Sequence, residues 1–439
     1  MSRSVQDVES RHRDLEPCTA RRMPSPTAPD TLWRDTNYRR IWASLMLSAF
    51  AGQFGGLALS LTAADVLRAT PTQIGILGSM GTLPYVLFML PAGVLLDRIR
   101  KLPAYLLGEV VMSLMFLCIP VVMALDRLSV GLLYVVAFVG ASVSVVSGTA
   151  GQIVLTQVVR REQLIEAHGK NRIAQSFAEI AGPGLAGIAI KLYGAPLAIL
   201  VNCGLLLWSA VVLRGLRVDD GPPAKETAGF WTELGEGIRF VRQDRLLMTL
   251  ALSVGCWQIF QTSAMVTQVL FATRELGLDA MTFGFCMAGA GAGTVVAGGY
   301  GHRLAARIGP GPTMIAGMAI SGIGWLQLAW APAGTLGIAS FVVMLACFSG
   351  SVVLIFSNLL ALRQSITPAP LLARMTSTMR WLTLFPALPG TLLGGWLAEQ
   401  FGLRVPLLVG GCGALVLAFL LWRFSMLRSV RGLVIGSAA

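Results

Sequence analysis

Gly93-Val94-Leu95-Leu96-Asp97-Arg98-Ile99-Arg100-Lys101 is a short charged turn set between two long apolar runs, 73–96 and 102–124. Three cations and one Asp crowd into its last five residues. Each flanking run is long enough to cross a bilayer, which takes about 20 mainly apolar residues. Working outward, ten further runs follow the same plan: 40–62, 129–155, 173–192, 195–214, 246–272, 281–304, 311–331, 335–361, 377–398 and 403–423. They are unbroken and rich in Leu, Ala and Gly, without the ten-residue alternation of a membrane barrel. The sequence therefore predicts an all-α membrane protein with twelve transmembrane helices. Small residues such as Ala288-Gly289-Ala290-Gly291-Ala292-Gly293 let helix backbones approach closely.

Composition points the same way. Of 439 residues, 55% are apolar and 13% charged, and the mean hydropathy is +0.70. A soluble chain carries about 25% charged residues, so a soluble multidomain enzyme is excluded, as is a disordered chain. The net charge of +12 alone would fit a nucleic-acid binder, but placement argues otherwise. With the N-terminus in the cytoplasm, 29 of the 34 Lys and Arg residues fall in cytoplasmic segments. That asymmetry sets an N-in, C-in orientation, and the basic charge then faces anionic lipid head groups rather than nucleic acid. The first apolar run is long and followed by many others, so it reads as a retained helix and not a signal peptide. Cys118, Cys203, Cys256, Cys286, Cys347 and Cys412 stand singly in apolar runs, and His12, His168 and His302 are far apart. No metal, cofactor or disulfide framework is expected.

The chain also repeats itself. Leu155-Thr156-Gln157 with Leu164 matches Leu362-Arg363-Gln364 with Leu371 at a shift of 207. Gly187-Ile188-Ala189-Ile190-Lys191-Leu192-Tyr193-Gly194 matches Gly395-Trp396-Leu397-Ala398-Glu399-Gln400-Phe401-Gly402 at 208. Gly93 with its basic cluster matches Gly299 with Arg303 and Arg307 at 206. Six helices per repeat keep both halves in the same orientation, related by an axis along the membrane normal. The expected organisation is a cytoplasmic, disordered tail (1–38), a six-helix bundle (39–214), a cytoplasmic linker (215–245), a second bundle (246–423) and a C-terminal tail (424–439). In the linker, Phe230, Leu234, Ile238 and Val241 share one face of an amphipathic helix. Two parallel bundles rocking about a midplane cavity are the architecture of a secondary transporter.

The opening turn resembles the signature G-x-L-x-D-R-x-G-R-K of the major facilitator superfamily, departing from it at Arg100 and Leu102. The resemblance implies a conformational latch of Gly93, Asp97, Arg98 and Lys101, with Asp97 received by the start of helix 11 and by Arg374 or Arg380. An ordinary solvated Asp–Arg pair is the other reading of that turn. Ala181-Gly182-Pro183-Gly184-Leu185-Ala186-Gly187 is similar to the G-P-x-x-G-G element of the antiporter branches, and Pro389-Gly390-Thr391-Leu392-Leu393-Gly394-Gly395 is its counterpart in helix 11. Gly182, Pro183, Gly187, Pro389, Gly394 and Gly395 are expected either to bend these helices or to pack them tightly. With 159–164, 235–242 and 363–374, these segments resemble the drug:proton-antiporter branch that includes macrolide efflux and enterobactin-type exporters.

Charges inside spans need a reason. Arg172, Gln175, Ser176, Glu179 and Pro183 fall on one stripe of helix 5, so Glu179 is a candidate proton carrier or a structural partner of Arg172. Glu109 in helix 3 is the second candidate, with a structural role as its alternative. Asp65, near the outer end of helix 1, is the third, with a hydrated interfacial position as its alternative. Helix 4 lacks the Arg that many proton-coupled drug exporters carry there. In the resembled fold, helices 1, 4, 7 and 10 line the cavity, which implies Gln53, Gln152, Trp257, Gln258, Phe260, Gln261 and Asn358 as cavity residues. Amides and aromatics without fixed charge suit a bulky amphiphile. The sequence thus predicts a monomeric, proton-coupled exporter of hydrophobic drugs or siderophore-like molecules in a prokaryotic cell membrane. A nutrient facilitator or importer of the same fold is the alternative. A membrane-embedded enzyme is disfavoured, because no nucleotide loop or nucleophile motif is present.

Overall fold

The computed structural model describes residues 32–216, 218, 230–368 and 371–430. The chain is helical, and its elements are α1 (Thr36–Leu61), α2 (Pro71–Arg98), α3 (Lys101–Ala124), α4 (Val130–Val158), α5 (Leu164–Tyr193), α6 (Ala195–Arg214), α7 (Phe230–Gln243) and α8 (Arg245–Leu270). Beyond them lie α9 (Ala280–Cys286), α10 (Ala288–Ile308), α11 (Pro310–Ala329), α12 (Thr335–Ile366), α13 (Leu372–Leu384), α14 (Ala387–Phe401) and α15 (Arg404–Phe424). Eleven helical stretches among the described residues are long and apolar enough to cross a membrane. The remaining expected run, 73–96, lies in α2, a helix of 28 residues.

The helix ends follow local chemistry. Asp35, Ser129, Asp244 and Asp279 each accept a backbone N–H at the start of α1, α4, α8 and α9. Thr70 and Gln73 form a reciprocal capping box on α2. The ends nearest Asp35, Lys101 and Asp244 form what is called here the proximal face. The ends nearest Val66, Thr70, Ser129 and Asp279 form the distal face. On the distal side α5 passes to α6 through Gly194 (φ 81°), and α14 passes to α15 through Gly402 (φ 94°). That left-handed backbone suits glycine, and it turns the chain within a single residue.

Helices α1 to α6 pack largely on one another, as α1 on α6 and α5, and α3 on α4 and α6, and much of α8 to α15 does the same, as α11 on α12 and α15, while α9 packs chiefly on α5 and α2 packs extensively on α14. The internal repeat is visible in the backbone. α1 and α8 both finish in a π-helical turn, Thr62–Val66 and Phe271–Glu275, 209 residues apart. α7 packs on α13 and α8, with Val241 fully buried beside Met375 and Met379. Of the expected N-terminal tail, residues 32–38 are folded: Leu32 and Tyr38 are buried in the proximal core. Residues 1–31, 219–229 and 431–439 lie outside the described residues.

The two proline-glycine elements sit differently in their helices. α5 continues through Pro183. The run 377–398 breaks earlier, at Phe385-Pro386, between α13 and α14. Pro389 falls in the first turn of α14, where its missing N–H leaves no hydrogen bond unmade.

Candidate functional site: an apolar cavity and two distal seams

A cavity of about 460 Å³ lies among α1, α2, α3, α4, α6 and α8. Its wall includes Leu59, Tyr85, Met112, Phe116, Met265 and Gln268, and no charged side chain lines it. The Gly52, Gly56 and Gly81 positions open space, since a Cβ at any of them would meet nothing within 4 Å. Asn202 stands in the wall with 1% exposure. Its Nδ2 donates to the Ala51 carbonyl at 2.6 Å, while its Oδ1 has no hydrogen-bond partner. A buried acceptor left unpaired costs about 1–3 kcal/mol, and this one is packed behind the wall rather than open to the cavity.

The expected cavity residues divide. Gln53 is half-buried where α1 meets Gly182 of α5. Gln258 is half-buried and Gln152 exposed, and neither lines the cavity. Trp257 and Gln261 are buried away from it: the Trp257 indole donates to Ser321 Oγ at 3.0 Å and the Gln261 amide to the same oxygen at 2.7 Å. Gln261 Oε1 in turn accepts the Trp325 indole N–H. Phe260 packs over Gly413 of α15. Asn358 donates to the Leu354 carbonyl at 2.7 Å and lines a separate recess with His302 and Ser357. A helical stripe alone does not say which neighbour it faces, and here α11 captured the polar face of α8. The sequence missed Tyr85, Phe116, Asn202 and Gln268, which lie on spans not expected to line the cavity or outside the polar stripes that were followed.

On the distal side, helices of the two halves meet along two glycine seams related by the internal repeat. In one, Gly187 of α5 lies against the Ala280 carbonyl, and Gly284 of α9 against the Pro183 carbonyl. In the other, a Cβ at Gly395 of α14 would lie 2.7 Å from the Pro71 carbonyl, and one at Gly75 of α2 would lie 2.9 Å from the Thr391 carbonyl. Backbones this close admit only hydrogen at those positions. Gly182, Gly390 and Gly394 serve the other faces of the same helices: Gly182 meets Gln53, and Gly390 and Gly394 meet backbone of α8. Each seam is fastened at its end. Lys191 Nζ pairs with Asp279 Oδ2 at 2.9 Å. Glu399 Oε2 accepts from the Thr70 hydroxyl and the Thr72 N–H, both at 3.0 Å, at a helix N-terminus that favours an anion. Ser79 and Thr391 hydroxyls meet at 2.6 Å along that second seam. Arg274 bridges the seams, donating to the Ala64 and Ala69 carbonyls at 3.2 and 3.0 Å. Lys191 and Glu399 occupy matching positions in the sequence repeat, which is the signal that could have found them.

The Asp279 carboxyl is held down at about 2, chiefly by its hydrogen bond to Thr282 and then by Lys191. Asp65 is exposed, beside Arg274. Glu179 is exposed and pairs loosely with Arg172 at 3.5 Å, so the stripe on α5 does not bury its carboxyl. Glu109 has the reverse character, with 2% exposure and the Ser48 hydroxyl donating to it at 2.6 Å. On the proximal side, Arg98 and Arg380 are exposed and Lys101 half-buried. The side chains of Asp97 and Arg374, and the surroundings of Gly93, lie outside the described residues. The Trp381 indole donates to the Val86 carbonyl at 3.2 Å, tying α13 to α2.

Residues 41–382 match the family described as Major Facilitator Superfamily. The chain is 27% identical over 382 residues to an uncharacterized MFS-type transporter, YfiS, of Bacillus subtilis (strain 168), covering 84% of this chain and 88% of that one. It is 26% identical over 231 residues to the multidrug efflux pump Tap of Mycolicibacterium fortuitum, covering 49% of this chain and 56% of Tap. Among solved structures, the nucleoside transporter NupG superposes with a TM-score of 0.67 at 12% identity, covering 88% of this chain and 98% of NupG. A bacterial homologue of the human lysosomal transporter Spinster, in an inward-facing and unoccupied conformation, superposes with a TM-score of 0.65 at 12% identity, covering 91% of this chain and 97% of that one. At such identities the likeness is one of fold.

Proposed function

The chain belongs to the Major Facilitator Superfamily and is a membrane transporter of that fold, and on that footing we propose that it exports bulky amphiphilic drugs or siderophore-like molecules by alternating access, driven by protons. The observation that carries this reading is the cavity wall. It is largely apolar, includes the aromatic rings of Tyr85 and Phe116, and holds no fixed charge, its polar groups being uncharged hydroxyls and amides such as Ser60, Ser144 and Gln268. Such a wall suits large apolar guests with few polar groups and disfavours a sugar phosphate or dicarboxylate, whose charges would go unpaired. The partial similarity to an efflux pump supports the same direction of transport.

In this reading α2 completes a set of twelve spans, six in each of two parallel bundles, with both termini in the cytoplasm of a bacterial cell. The proximal face is cytoplasmic and the two distal seams are the external gate, closed here. Export requires both seams to part while the proximal side closes, with Asp97, Arg374 and Arg380 as the proximal latch. The protein acts as a monomer, its partners being the lipid bilayer, protons and the guest. Everted membrane vesicles carrying the full chain should take up ethidium when energised and lose that uptake on addition of a protonophore. Uptake indifferent to the protonophore removes proton drive, and accumulation of ethidium by intact expressing cells removes export.

A further inference from the structure

Glu109 is the one acidic side chain on α3, and it is buried among hydroxyls contributed by three helices. Ser48 of α1 donates to it at 2.6 Å. Behind Ser48 stands Ser209 of α6 at 3.2 Å, then Ser44 of α1 at 2.7 Å from Ser209, then Tyr105 of α3 at 3.0 Å from Ser44. No Lys, Arg or His among the described residues makes a salt bridge with Glu109. The elements around it add no nearby charge. α4 has no ionisable side chain other than Tyr134 and meets this region through Ser147, against Gly108. On α6, Ser209 faces the cluster, and Arg214 is exposed at the proximal end. On α1, the nearest cation is Arg40, which donates to the Gly215 carbonyl. On α3 itself, Lys101 begins the helix, two turns before Glu109.

The hydroxyl chain satisfies both protonation forms of the carboxyl. With Glu109 ionised, Tyr105 donates to Ser44, Ser44 to Ser209, Ser209 to Ser48 and Ser48 to the carboxylate. With Glu109 protonated, it donates to Ser48, Ser48 turns to Ser209, and Ser209 turns to the Ser44 carbonyl at 3.4 Å, while Tyr105 and Ser44 stay as they were. Only two hydroxyl rotors move between the forms, and such rotors turn readily. A cluster built for one form alone would strand a buried donor or acceptor in the other. The cluster also sits directly under the cavity. Ser48 precedes Gly52 by four residues and Glu109 precedes Met112 by three, one helical turn in each case. The three helices that hold the carboxyl are three of those that wall the guest space.

Resting on the proton-driven export reading, we propose that Glu109 is the group that takes up and releases the coupling proton, with Tyr105, Ser44, Ser209 and Ser48 as positioning residues that serve both of its forms. The proton comes from water and returns to it. A carboxylate oxygen gains an O–H bond as hydronium loses one, and each hydroxyl keeps a single proton throughout. Changing the charge under the cavity alters how α1, α3 and α6 pack there, which couples the proton to the guest.

The test uses the purified full chain in proteoliposomes, with ethidium as the transport probe and infrared difference spectra recorded across pH. A carboxylic C=O band should titrate in the parent protein and vanish in Glu109→Gln. Tyr105→Phe should keep the band but shift its midpoint, which a purely structural cluster would not do. Ethidium accumulation under a pH gradient should fall at least tenfold in Glu109→Gln. Persistence of the band in Glu109→Gln, full gradient-driven accumulation by that variant, or accumulation driven by a sodium gradient instead overturns the proposal. If the parent protein shows no gradient-driven ethidium movement, the export reading fails by itself, while the titrating band still decides Glu109.

Discussion

Gly395→Ala should open the distal face. The new Cβ would lie 2.7 Å from the Pro71 carbonyl, roughly 0.7 Å short of ordinary van der Waals contact. Its other neighbours are the Gly75 Cα and N at 3.0 and 3.2 Å. All three are backbone atoms of α2, so no side chain can swing aside and the helices must separate. Overpacking of this kind costs about 1–3 kcal/mol. In the proposed alternating-access cycle, the cost falls only on the form in which α2 meets α14. It therefore acts as a shift of roughly 5- to 150-fold toward the distally open state. Spin labels at Arg68 and Leu336, exposed distal positions on the two halves, read that change as a longer population in a pulsed dipolar distance distribution. Gly81→Ala is the control: its Cβ enters open space, and it gains helix propensity of up to about 1 kcal/mol. A distribution in Gly395→Ala that matches both the parent and Gly81→Ala would refute the view that glycine contacts hold this face shut.

Ser321→Ala should lower thermal stability in detergent by about 1–3 kcal/mol, because the Trp257 and Gln261 donors both lose a buried acceptor; a loss within a few tenths would show that the network is not needed. The Lys191–Asp279 fastening should ignore physiological pH. Since the folded carboxyl is depressed to about 2, its contribution is complete above the unfolded value near 3.8 and fades only as pH falls through about 2. A distal spin-label distance that changes between pH 8 and 5 in the parent but not in Asp279→Asn would contradict this.

Much of the architecture was legible because bilayer length and charge placement are one-dimensional signals. Lys191 and Glu399, aligned by sequence, reappear at the ends of the two distal seams. What sequence could not supply was neighbour identity. Trp257 and Gln261 carry the right chemistry for a cavity, but Ser321 on α11 took their polar groups. Glu179 and Glu109 look alike in a helical run, yet one is exposed beside Arg172 and the other is buried against Ser48. The placing of Pro389 was hidden for a similar reason: it lies in the first turn of α14, and only the break at Phe385-Pro386 reveals that.

The outer edge of the molecule is geometrically even and chemically lopsided. Dissolved salt screens the exposed Lys191–Asp279 attraction, whereas the Glu399 clasp on the other seam lies on neutral hydroxyl and amide donors and is touched far less. High salt should therefore loosen the Lys191–Asp279 end before the Glu399 end, making the two seams unequal in strength although they match in geometry.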